Sequence, residues 1–301
     1  MNRRSPRTYI SLSILAAIVT MGLKFASYAL TDSMGLFSDA AESGVNLIAA
    51  LFAMWALTVA AQPADYEHTF GHSKAEYFSS ALEGILVLVA ALSIVIAAVP
   101  RLLHPQPLAQ IELGLLLSIV AAAINGGVAL ILLRAGKRLR SITLRADAHH
   151  LLTDVWTSVG VVGGLLLVKL THWQILDPLL AIAVAANIAW VGVRLLKETA
   201  NGLMDAALPD SEKSKILDIL NSYQNLDIEF HALLTRVAGS RNFVSFHILV
   251  PGNWTVQQGH DLCEEIEHKI MTQIEHTHVT THLEPIEDPV SWQDESLDRT
   301  V

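Results

Sequence analysis

The sequence predicts a polytopic α-helical membrane protein with six transmembrane helices, followed by a small cytoplasmic two-layer α/β domain of order αββαβ. Three observations predict it. Of 301 residues, 52% are hydrophobic and 16% charged, against about 25% charged in a soluble domain. The apolar residues collect in six windows, 9–30, 36–60, 79–100, 108–133, 149–170 and 175–196, each near the roughly 20 residues that cross a hydrocarbon core of about 30 Å. Beyond residue 204 the texture changes to amphipathic and alternating segments that hold most of the net charge of −9.

The first span, YISLSILAAIVTMGLKFASYAL, follows RRSPR with no small-residue cleavage site, so it reads as a membrane helix and not as a cleavable signal. Six spans leave both ends on one side. Arg3, Arg4 and Arg7 precede span one, Arg134, Lys137, Arg138, Arg140 and Arg145 lie between spans four and five, and Arg194 and Lys197 follow span six. The opposite loops offer little beyond Arg101 and Lys169. The positive-inside rule then makes both termini cytoplasmic, in an inner or cytoplasmic membrane. In a chain that is acidic overall, those basic loops are topology signals, and a nucleic-acid partner is excluded. The sole Cys263 excludes a disulfide framework or thiolate cluster and reads as a small buried helix residue.

In the domain at 205–285, PDSEKSKILDILNSY has an acidic first turn and reads as a helix. LDIEFHALLTRVAG and NFVSFHILV read as strands around GSRN, VQQGHDLCEEIEHKIMTQI as an amphipathic helix and THVTTHLEP as a last strand. The tail at 286–301 is acidic and proline-interrupted, and is expected to be disordered.

Spans two and five carry charge. In LFSDAAESGVNLIAA, Asp39, Glu42 and Asn46 fall at i, i+3 and i+7 on one helical face, and Asp147, His150, Asp154 and Ser158 form a comparable stripe in span five. A carboxylate facing lipid is costly, so these groups turn inward. Two helices that each give a pair at i and i+4, Glu42 with Asn46 and His150 with Asp154, can supply four O or N ligands to one ion. Glu42 and Asp154 carry two negative charges that a divalent cation cancels. Without the cation they repel, so metal and proton compete for the site. The alternative is that these groups are interhelical hydrogen-bond glue or helix caps. Asp39 and Asp147 fit a cap, a vestibule charge or an outer partner. His149 points about 100° away from His150 and reads as a bystander.

Two further groups have metal-ligand chemistry. In QPADYEHTFGHSKAE, Asp65, His68 and His72 are spaced by three and four residues, suited to a tight turn entering a helix. In the cytoplasmic domain, strand alternation puts Val244, Phe246, Ile248 and Val250 on one face and His247 on the other. His282 and Glu284 share a face with His278 and Thr280. Histidines thus gather on the non-core side of two strands, where His231 from a third and His260 near a helix start could meet them. A merely solvated histidine-rich surface is the other reading.

PADYEHTFGHSKAE, HHLLTD in span five and SDAAESGVN in span two together resemble the cation diffusion facilitator family, over about residues 10–285. The resemblance implies a dimeric six-helix transporter that exports zinc and related divalent ions in exchange for protons. It implies a transport site on His150 and Asp154, which match directly, with Glu42 and Asn46 at the second-helix positions. There the family usually has Asp or His followed by Asp, so the neutral Asn46 is a departure. Fewer anionic ligands discriminate less against iron(II), cobalt, cadmium or manganese. The resemblance also implies a zinc site at Asp65, His68 and His72, and interlocking charges at Lys74 and Asp205 that hold the dimer. It implies zinc bound by His231, His247, His260, His282 and Glu284 between the cytoplasmic domains of a dimer, in a metallochaperone-like module for dimerisation and sensing. It assigns nothing to His268, His276 or His278. The expected function is proton-coupled export of a divalent cation, foremost zinc, without covalent chemistry. The rivals are a non-transporting membrane metal sensor or scaffold and an intramembrane metal hydrolase. Neither HExxH nor a Walker motif is present to support the hydrolase or nucleotide-driven transport.

Overall fold

The computed structural model describes residues 6–139, 142–223 and 227–293. The chain divides into two compact units, one of Met1–Met54 with Ser79–Leu196 and one of Trp55–Phe78 with Lys197–Val301.

Among the described residues, six helices are long and apolar enough to cross a membrane. They are α1 (Pro6–Thr31), α2 (Met34–Ala60), α3 (Ala75–Leu103), α4 (Ile111–Leu139), α5 (Ile142–Thr171) and α6 (Leu176–Leu203). Helix is the required form here, because lipid offers the backbone no hydrogen-bond partner. The helices pack through small residues, since lipid chains remove the hydrophobic drive for helix association. Ala91, Ala98, Ala181 and Ala185 line one buried cluster with Ile94 and Ile188. Ala16, Ala129, Ala135 and Ala148 line another with Leu132, Leu144 and Leu151. At Gly114 the Ser27 hydroxyl donates to the glycine carbonyl at 2.7 Å, and a Cβ there would run into the Thr31 side chain.

The α1–α2 connection is only Asp32 and Ser33, and its amides are fully accounted for. Ser33 Oγ accepts from the Leu36 amide at 3.2 Å as an N-cap. Asp177 at the start of α6 accepts from the Met34 and Gly35 amides at 2.7 and 3.1 Å and from Ser33 Oγ at 2.5 Å. A carboxylate at a helix N-terminus meets both the orphan amides and the positive end of the dipole. That contact fixes where α2, the bearer of Asp39, Glu42 and Asn46, begins. The apolar span of α5 runs Asp147–Thr171, close to the expected 149–170, and among the described residues the helix extends back to Ile142 because polar RADAH continues it outside the apolar window. Of the basic residues used for topology, Arg3, Arg4 and Arg140 lie outside the described residues.

The second unit holds α7 (Asp210–Asn221), β1 (Glu229–Ala238), β2 (Arg241–Val250), α8 (Val256–Gln273) and β3 (Thr277–Pro285), in the expected order αββαβ. The sheet order is β1-β2-β3. β1 and β2 are antiparallel, joined at Gly239, whose φ of +61° suits the first central position of a type II′ turn. β3 runs parallel to β2, as the α8 crossover permits. Thr255 and Gln258 close a capping box at the start of α8. Val244, Phe246, Ile248 and Val250 are buried against Ile216, Ile219 and Leu220 of α7 and Leu262, Ile266 and Ile270 of α8. The opposite sheet face is left to the histidines. In β1 a bulge falls between His231, paired with His247, and Leu234, paired with Ser245. Ala232 takes a φ of +51° there, a local cost typical of bulges beside functional groups.

The expectation of disorder from residue 286 does not hold through Gln293. Pro289–Trp292 form a 3-10 turn capped by Asp288, whose side chain accepts from the Val290 amide. Ser291 Oγ donates to the Pro285 carbonyl at 2.9 Å and Trp292 Nε1 to the Ile286 carbonyl at 3.1 Å. The rest of the expected tail, 294–301, lies outside the described residues. Cys263 is half-buried, and partial burial pushes its thiol up, away from the reactive thiolate.

Candidate metal sites

Within the membrane helices, α2 and α5 meet at two levels. Asn46 Nδ2 donates to Asp154 Oδ1 at 3.4 Å, and Ser158 Oγ donates to Asp39 at 3.0 and 3.1 Å. The numbering rises on one helix as it falls on the other, so α2 and α5 run antiparallel through the site. Asp154 is 9% exposed. Glu42 is half-buried, and its Oε2 is a buried oxygen with no hydrogen-bond partner among the described residues. An orphaned buried carboxylate oxygen is costly unless a cation or proton meets it. His150 is exposed, and the ligand atoms of Glu42, His150 and Asp154 do not gather within the spacing met by the two clusters below. Asp147 is held by Ser13 Oγ at 3.1 Å, which ties α5 to α1.

The sequence reading missed Lys24. It is the only charged residue of its span, and it lies buried with Nζ at 2.8 Å from both Asp39 Oδ1 and Ser43 Oγ. Both members of the Lys24–Asp39 pair are 2% exposed. A lysine in mid-span was the available signal. Its partner, on another helix, was not.

In the second unit, Asp65, His68 and His72 place one ligand atom each within 4.8 Å of one another. Asp65 Oδ1 accepts from the His68 and Glu67 amides at 2.6 and 3.0 Å, an Asx-type turn that aims the carboxylate back at the imidazoles. His68 Nδ1 lies 3.4 Å and His72 Nε2 3.3 Å from it. The His68 amide, with smaller help from the Glu67 amide and the two imidazoles, holds the Asp65 carboxyl below the usual carboxylate range. It is therefore ready to ligate at neutral pH. His72 Nδ1 is buried without a hydrogen-bond partner among the described residues.

The sheet cluster follows from strand register. His231, His247 and His282 stand side by side across β1, β2 and β3. Glu284, two residues beyond His282, shares their face. Glu284 Oε2 lies 3.1 Å from His231 Nε2 and 3.4 Å from His247 Nδ1, and Oε1 lies 3.4 Å from His282 Nε2. His231, His247 and Glu284 meet the 4.8 Å mutual spacing. His282 is an exposed neighbour. His260 is exposed on the first turn of α8 and is not brought to this group, and neither are His268, His276 or His278. Imidazole and carboxylate donors at this spacing fit a divalent ion such as zinc. Trp292 and His231 form a T-shaped pair, ring centroids 5.8 Å apart. Lys74 meets Asp205 at 2.9 Å, and Arg236 meets it at 3.2 Å. Lys74 foremost, then Arg236, holds the Asp205 carboxyl below its ordinary value.

Six apolar helices with inward carboxylates, followed by an α/β unit bearing clustered metal ligands, define a membrane protein that handles metal cations. Residues 10–204 match the cation efflux transmembrane domain and residues 208–286 the cytoplasmic domain of cation efflux proteins, and the chain belongs to the cation diffusion facilitator family. It is 58% identical, over 97% of its length and 94% of the relative's, to the uncharacterized transporter sll1263 of Synechocystis. It is 26% identical to the cation-efflux pump FieF of Citrobacter koseri, over 93% of this chain and 92% of that one. Among solved structures, the zinc form of CzrB is 35% identical and covers 27% of this chain and 93% of its own, with a TM-score of 0.26. By its two family models the chain is a cation-efflux transporter.

Proposed function

We propose that the chain is a proton-coupled antiporter that exports a divalent cation, foremost zinc, from the cytoplasm as a homodimer with both termini cytoplasmic. The observation that carries the reading is the orphaned Glu42 oxygen on α2, beside the Asn46–Asp154 contact that links α2 to α5. Glu42 and Asp154 balance a 2+ charge, and His150 and the Asn46 amide oxygen complete the ligand set. Asn46 also orients Asp154 while the ion is absent. Protons arriving from outside neutralise the carboxylates and expel the ion, so the proton gradient drives the cycle. Asp65 with His68 and His72, and Glu284 with His231 and His247, are read as resident zinc sites. There the ion screens carboxylates and stabilises the domain, and His260 and His282 add ligands when two copies associate.

The test is a metal panel on protein in sealed liposomes with an imposed pH gradient and a dye inside. Zinc entry that collapses when the gradient is abolished is the expected result. Flux that ignores the gradient removes proton coupling. Binding without flux identifies a sensor or scaffold, the reading that the neutral Asn46 would favour if transport required four anionic or imidazole ligands.

A further inference from the structure

Asp39 precedes Glu42 by one helical turn on the same face of α2, and Ser158, which donates to Asp39, follows Asp154 by one turn on α5. A third carboxylate therefore stands beside a site whose other two already balance a divalent ion. It is occupied elsewhere. Lys24 reaches across from α1 to Asp39 and to Ser43, each at 2.8 Å, and the pair is buried to 2% exposure on both sides. Breaking such a pair by removing one partner leaves an uncompensated buried charge, whereas replacing both by neutral groups is often close to neutral for stability. Stability alone is thus a weak reason for the pair. Its position supplies a stronger one.

We infer that Lys24 is a positioning residue for transport: it holds Asp39 as the anionic half of a neutral pair, tied through Ser158 to α5, so that the ion meets two carboxylates and not three. This rests on the reading of Glu42, Asn46, His150 and Asp154 as the transport site. The groups around Asp39 are Lys24 from α1, Ser43 and Glu42 on α2, and Ser158 and Asp154 on α5. If Lys24 is removed, Asp39 becomes free to join the ion. If Asp39 is neutralised, an unbalanced lysine repels the ion from the same place. The two substitutions should therefore act in opposite directions on affinity, which loss of packing cannot do.

The test uses the full chain, and takes zinc binding at the intramembrane site as the difference between each protein and its own Asp154→Ala derivative. At pH 7.5, Lys24→Met should tighten that binding and slow turnover, and Asp39→Asn should weaken it, each by about tenfold or more for one uncompensated charge in a low-dielectric site. The double variant Lys24→Met with Asp39→Asn should return near the wild-type affinity. Lys24→Gln, a milder change, serves if Lys24→Met does not fold. Shifts of the same sign in the two single variants, no shift, or a double variant no better than its parents would overturn the inference. Opposite binding shifts in a protein that moves no zinc in liposomes would keep the positioning role and remove the transport reading.

Discussion

The sheet cluster and the intramembrane set use the same ligand chemistry on different scaffolds. Across the sheet, neighbouring strands fix His231, His247 and His282 in register and bring His231, His247 and Glu284 within 4.8 Å of one another. Backbone hydrogen bonds set that geometry, so the ligands converge before any ion arrives. In the membrane helices, Glu42 and Asn46 lie on one helix and His150 and Asp154 on another, and among the described residues these four are joined by the 3.4 Å contact of Asn46 with Asp154. The donors are on the right faces but are not drawn together. A ladder suits an ion that stays. Two helices that can shift against each other suit an ion that must leave.

The sharpest way to break this contrast is Asp154→Ala. Asp154 is one of the two carboxylates in the proposed transport set, so flux in liposomes should fall by about 100-fold or more while folding is kept. Near-normal flux would return Asp154 to the role of interhelical glue. Next comes the sheet. Replacing His247 and His282 together should lower the number of zinc ions held by the full chain but only partly reduce flux at saturating metal, because these histidines lie on β2 and β3 and not on the six apolar helices. Metal counting after gel filtration checks the first part, and unchanged stoichiometry would remove the cluster as a resident site.

A smaller effect is expected from Asn46→Asp. A third site carboxylate should tighten zinc binding by about tenfold, displace the optimum of the pH–rate profile and slow release. Affinity and flux measured across pH 5.5 to 8 decide it. An unmoved profile in a folded variant would mean that Asn46 serves Asp154 and never the ion. The smallest effect is at Asp205. Its carboxyl is held below the ordinary value by Lys74 and Arg236, so its stabilisation is present above the unfolded pKa of about 4 and is lost as pH falls through the lower folded value. Asp205 is largely exposed, which limits the contribution to about 0.5 kcal/mol. Asp205→Asn should lower the melting temperature slightly at pH 7 and not at pH 2.5. An equal drop at both values would assign the loss to packing.

What the sequence disclosed follows from the range of the physics involved. Hydropathy windows and period-2 alternation are local, so the six spans, the αββαβ order and the buried face of Val244, Phe246, Ile248 and Val250 were legible. The meeting of His231 with Glu284 was legible in outline, because alternation puts both on the non-core face. That His260 stands apart from the cluster within one chain was not, since it depends on α8 packing against the Val244 and Phe246 face of the sheet, opposite the histidines. Lys24 was visible as a charge in an apolar span, yet its meaning depends on Asp39 fifteen residues away on another helix, and no periodicity carries that. The order at 286–293 was not legible, because the composition there is acidic, while that order comes from specific bonds made by Asp288, Ser291 and Trp292.

The placement of Trp292 has a practical consequence. Its indole N–H is anchored to the Ile286 carbonyl at 3.1 Å and its ring packs at right angles to that of His231, one of the candidate ligands. An ion bound by His231 would place a positive charge directly on that imidazole. The neighbouring fluorophore should register this as a change in emission. The chain thus carries a built-in optical reporter for the sheet cluster. Zinc titration should alter the tryptophan signal of the wild type, and Trp292→Phe should silence that change while leaving the bound metal in place.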